Sequence, residues 1–195
     1  MKKDELIDLI KNEGDFEEFE YNGLKCVIQR NRHKIWCGYV GITPDFSLYG
    51  FDYNMTIPIP DEIKDKKINI DKLSSVDFFI HCLKVKAGEA SLDEFPISVL
   101  IEVHGGITFS ESALADGRTW NGKKCEKFYG NESDNLWWFG FDCGHSGDLI
   151  PTKSVFNNTG EQLLINNNEI YRTKEYAINE TKALADQLIT FKLKK

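Results

Sequence analysis

What this chain lacks narrows it before anything it contains is considered. Its five cysteines, at 26, 37, 82, 125 and 143, show no paired short spacing, so a CxxC zinc site is excluded and reduced, mostly buried thiols are expected. No apolar run approaches the ~20 residues that span a bilayer, and no membrane association is expected. Basic residues are outnumbered, 24 Lys and Arg against 31 Asp and Glu, for a net charge of -7. That balance argues against general nucleic-acid binding, which needs a basic face. No internal repeat or low-complexity tract appears, and no glycine loop carries the lysine and spacing of a Walker motif. The opening residues pass into an amphipathic stretch rather than the apolar core of a signal peptide, so a cytoplasmic location is expected.

What is present suits one globular domain. The 195 residues are 41% hydrophobic and 28% charged, enough apolar content for a core under an ordinary charged surface. Residues Asp4 to Glu13 read as a short helix, with Leu6, Leu9 and Ile10 on one face and Gly14 at the exit. An acidic loop is expected over 15–20. Alternation then predicts a hairpin, Leu24 to Gln29 with Ile35 to Val40, joined through Asn31-Arg32-His33. Residues 54–96 change character, with Pro58 and Pro60 breaking any regular element, and read as an insertion or lateral subdomain within the single domain 1–195. Ile97, Val99, Ile101 and Val103 alternate and predict a strand leading into His104-Gly105-Gly106. A long polar loop follows to Asn135, with Arg118, Lys123 and Lys124 able to close over an anion or simply be solvated. Ala177, Thr181, Leu184, Leu188 and Phe191 form one stripe at 4-3-4-3 spacing, which predicts a long helix from Thr173 to about Leu193. The fold class expected is α+β, a mostly antiparallel sheet with this helix packed on one face and the short helix at the N-terminus.

The chemistry concentrates in Asn135 to Asp148. Trp137, Phe139, Phe141 and Cys143 share one strand face, and Trp138, Gly140 and Asp142 the other. Asp142, His145 and Asp148 then leave the strand at three-residue steps with Gly144 and Gly147 between them. If His104 lies beside them, imidazoles and carboxylates meet at one rim of the sheet. Such a set can hold a divalent metal, with His104, Asp142, His145 and Asp148 as the candidate ligands, or do acid–base work. Against this stands a plain structural reading, in which the aspartates cap turn amides. Gly105 and Gly106 with Thr108 can bring amides and a hydroxyl to a phosphate, or form a simple bend. Trp36 and Trp138 are the rings expected to stack on a base. Cys143 shares the core face and is read as a packed thiol rather than a nucleophile.

The blocks Trp36-Cys-Gly-Tyr-Val40, Val103-His-Gly-Gly-Ile-Thr-Phe-Ser110 and Trp137 to Asp148, with Tyr176 and Leu184 to Leu188 near the end, resemble a family of small proteins of unknown function carried by bacteriophages and prophages. The resemblance covers about half the chain and implies a phage accessory setting, with counter-defence as the role. Taken with the residues, it gives an expected function: binding a nucleotide-like small molecule, the sequestration of a host immune signal. Two alternatives stay open: a metal-dependent or histidine-assisted hydrolase of a phosphorylated small molecule, and a protein-binding inhibitor of a host factor. Homo-oligomerisation is also left open by the sequence.

Overall fold

The structure is a computed structural model that describes residues 3–60, 75–89, 91, 94–112, 119–120, 123–124, 135–154 and 168–191. Helix α1 (Lys3–Glu13) buries Leu6 and Ile10 and ends at Gly14, whose φ of 73° closes the last turn. Strands β1 (Phe16–Tyr21), β2 (Leu24–Arg30) and β3 (Trp36–Ile42) follow as an antiparallel meander. β1 forms where an acidic loop is expected. It lies at the sheet edge, where charged side chains are tolerated because the outer face stays wet. Its turn to β2 is Asn22-Gly23, both at positive φ (50° and 79°), the two-residue connection whose twist suits a hairpin. The β2–β3 connection is longer than three residues: Asn31 N–H donates to Ile35 O at 3.0 Å around Lys34, itself at φ 62°.

Strands β4 (Thr56–Pro58) and β5 (Glu94–Pro96) pair antiparallel, so the chain leaves and returns at one place around the 54–96 segment. Within it lies helix α2 (Ser75–Lys86), with Ile80 and Leu83 about half exposed. The stretch expected as a strand from Ile97 to Val103 is instead a helical turn, α3 (Ile97–Leu100), running into extended chain. Ile97, Leu100 and Ile101 are all buried. Their i, i+3, i+4 spacing fits a helical turn as well as alternation fits a strand, and Pro96 presets its entry. The strand that joins the sheet is β6 (Phe109–Glu111), beyond the glycine pair. Strands β7 (Thr119–Trp120) and β8 (Lys123–Lys124) form a small separate ladder inside the expected loop; Arg118 lies outside the described residues.

Strand β9 (Trp137–Asp142) completes the five-stranded antiparallel sheet, in the order β1-β2-β3-β9-β6. After the short helix α4 (Pro151–Ser154), the C-terminal helix α5 (Lys174–Thr190) crosses β2 and β3. Thr173 caps it by accepting from Tyr176 N–H at 3.2 Å. Ala177, Thr181, Leu184, Leu188 and Phe191 are buried, as the stripe requires. Gly38 makes the approach possible: a Cβ there would overlap Thr181 and Phe141. The main core lies between helix and sheet and includes Phe139, Phe141 and Cys143, while Trp138 packs with Val27 on the other face. No described helix is long and apolar enough to cross a membrane.

Candidate functional site

Asp148 is the centre of the site. It sits in the turn after β9, where its N–H donates to His145 O at 3.0 Å, and its side chain is 1% exposed. A carboxylate so buried needs donors on both oxygens. Oδ2 accepts from His104 Nε2 at 2.6 Å and from the His145 N–H at 2.9 Å, and Oδ1 accepts from Arg172 Nε at 2.7 Å. Burial alone would raise its pKa; the bonds from Arg172, His104 and the His145 amide outweigh that and hold the carboxyl below its usual range.

His104 arrives from the turn after α3 and is held by α5. Its N–H donates to Glu180 Oε2 at 2.8 Å, and its Nδ1 lies 2.9 Å from the Tyr176 hydroxyl. In the tautomer that gives Nε2–H to Asp148, Nδ1 accepts from the phenol. A chain of carboxylate, imidazole and phenol results. Arg172, delivered from the segment before α5, lies over the Tyr176 ring at 4.7 Å to its centroid. That segment is placed by Ile170, whose N–H donates to Gly147 O and whose carbonyl accepts from the Leu149 N–H.

His145 and Asp142 form the outer rim, each with a side chain 32% exposed. Asp142 Oδ1 accepts from the Gly144 N–H at 2.9 Å, and Oδ2 from Thr108 Oγ1 at 3.3 Å. His145 Nε2 lies 3.8 Å from Asp142 Oδ1, has no hydrogen-bond partner among the described residues and is covered by Gly105. A Cβ at Gly105 would run into that ring, and its φ of 68° disfavours one in any case. The two imidazoles meet at a 5.5 Å centroid distance.

The structure thus brings His104, Gly105, Thr108, Asp142, His145 and Asp148 together. Gly106 supplies the turn rather than a free amide, since its N–H donates to Val103 O at 2.9 Å. Trp36 and Trp138, expected as stacking rings, are instead fully buried. Trp36 lies in the main core with the Arg30 guanidinium 4.2 Å from its ring centroid, so neither tryptophan offers a face to a ligand. Cys143 is also buried, and burial pushes its thiol well above the usual range, which leaves a packed thiol rather than a thiolate nucleophile. Among the described residues no group of three or more His, Cys, Asp or Glu side chains is placed to hold a metal ion. His104 and Asp148, two of the four candidate ligands, are committed to each other.

Arg172, Tyr176 and Glu180 were not foreseen as site residues. Their one signal is position: Arg172 directly precedes the Thr173 cap, and Tyr176 and Glu180 are one turn apart on α5. Comparison with protein-family models, curated proteins and solved structures finds no match to this chain.

Proposed function

We propose that this protein binds a small, phosphate-bearing, nucleotide-like molecule at the rim formed by His145, Asp142 and Thr108 beside Arg172. One observation carries the reading. A single buried carboxylate, Asp148, fixes an imidazole, a guanidinium and the backbone of a second imidazole at once, while the Arg172 and His145 side chains remain 25% and 32% exposed. Groups held from beneath and open above are pre-organised for a ligand. A guanidinium suits phosphate oxygens, and Asp142 and Thr108 suit ribose hydroxyls. In a phage-type setting, a binder of this kind would act by removing a host nucleotide signal from circulation.

The test is calorimetric titration with a panel of mono-, di- and cyclic nucleotides, alongside mass spectrometry of small molecules released from the purified protein. Binding of at least one nucleotide is expected, weakened tenfold or more in Arg172→Ala and His145→Ala. A folded protein that takes up none of the panel and releases no phosphate-bearing compound refutes the reading.

A further inference from the structure

The chain Asp148–His104–Tyr176 runs outward. Asp148 is 1% exposed at its side chain, His104 is 11% exposed, and Tyr176 is partly exposed in the first turns of α5. Its two links are 2.6 and 2.9 Å. This is the general layout of an activated nucleophile: a buried carboxylate orients an imidazole, and the imidazole faces a hydroxyl within hydrogen-bond reach. The hydroxyl here is a phenol. The cation that satisfies the second oxygen of Asp148, Arg172, also lies over that phenol's ring. The Arg172 side chain is 25% exposed, and a phosphate drawn to its guanidinium would lie near the same tyrosine.

We infer that Tyr176 is a latent nucleophile for phosphoryl transfer from a phosphodiester of a nucleoside, with His104 as its base and Asp148 as the positioning residue. The inference rests on the ligand class proposed above. In the step, the Tyr176 oxygen forms a bond to phosphorus as the bond from phosphorus to the leaving oxygen breaks, and that oxygen departs with the electron pair and takes a proton from solvent. The phenol proton passes to His104 Nδ1, and Asp148 stabilises the imidazolium. Water then displaces the tyrosine oxygen, the imidazolium returns its proton to the phenolate, and the water's proton goes to solvent. Burial first, and then the Glu180 carboxylate, raise the Tyr176 pKa. The phenol therefore rests protonated and depends on the imidazole to remove its proton as the new bond forms, as a hydroxyl nucleophile does.

The probe is the 4-nitrophenyl ester of thymidine 5′-phosphate, whose leaving group is coloured. The wild-type protein is expected to release a burst of 4-nitrophenolate and to carry a thymidylyl group on Tyr176, located by peptide mass spectrometry. Tyr176→Phe keeps the ring under Arg172 and should lose both signals while retaining nucleotide binding. His104→Asn should slow the burst about 100-fold or more. If nucleotides bind but no adduct forms, or if the adduct persists in Tyr176→Phe or maps elsewhere, the inference is overturned and the binding reading stands. If neither binding nor adduct is seen, both are overturned.

Discussion

The molecule contains two polar knots built from the same parts, and they behave differently. In one, Arg30 is fully buried: its Nη2 donates to Glu13 Oε2 and to the Tyr171 hydroxyl, both at 2.5 Å, its Nε to Gly14 O and its Nη1 to Lys34 O. Glu13 accepts in addition from Tyr171, Trp36 Nε1 and the Lys174 N–H. In the other, Arg172, Asp148, His104 and Tyr176 repeat the theme of guanidinium, carboxylate and phenol, but the Arg172 side chain and that of the neighbouring His145 are 25% and 32% exposed. A knot in which every guanidinium nitrogen is bonded and the side chain is fully buried joins α1, the meander and α5 and offers no face to a ligand. A knot with open outer groups does.

Substitutions can break or sharpen this contrast. Glu13→Ala leaves a buried guanidinium with only the more distant Asp15 carboxylate, 3.7 Å from its Nε, and should cost about 3 kcal/mol in urea unfolding, with no specific effect on nucleotide affinity once the protein is folded. Asp148→Asn should cost less, about 2 kcal/mol, and should abolish binding. Its pH dependence adds a sharper test. A carboxyl held below its usual range stabilises the fold above about pH 4, and that contribution disappears as pH falls through the lowered value. Asp148→Asn should therefore unfold less steeply with acid below about pH 4 than the wild type does. Gly105→Ala, forced into φ 68° and against the His145 ring, should cost about 1–2 kcal/mol and weaken binding by displacing that ring. His145→Ala should change stability least, by about 0.5 kcal/mol or less, while lowering nucleotide affinity tenfold or more. Equal losses of affinity in Glu13→Ala and His145→Ala would erase the distinction between the knots.

Much of the fold was legible because it rests on long, regular patterns. The α5 stripe and the two faces of β9 needed only periodicity. The 97–103 segment misled because Leu100, off the alternating face, completes a helical i, i+3, i+4 set with Ile97 and Ile101, and Pro96 leads into the turn. β1 was missed because its glutamates look like loop, although Asn22-Gly23 marks a hairpin. Trp36 and Trp138 were misplaced because both faces of β3 and β9 are buried, so alternation cannot single out an open one. Of the site, the residues on the two glycine turns could be named. Their partners could not: Arg172 meets Asp148 across 24 residues and Tyr176 meets His104 across 72, and nothing local signals such a meeting.

Tyr171 and Arg172 are consecutive, yet one enters the closed knot and the other the open one. In extended chain adjacent side chains point opposite ways, so this peptide is a two-sided key whose teeth are cut for different locks. Slipping it by one position would drive a second guanidinium against Arg30 and strand Asp148 without its own. The spacing from Ile170 to Thr173 is therefore fixed from both sides, and an insertion or deletion there would unseat both side chains at once.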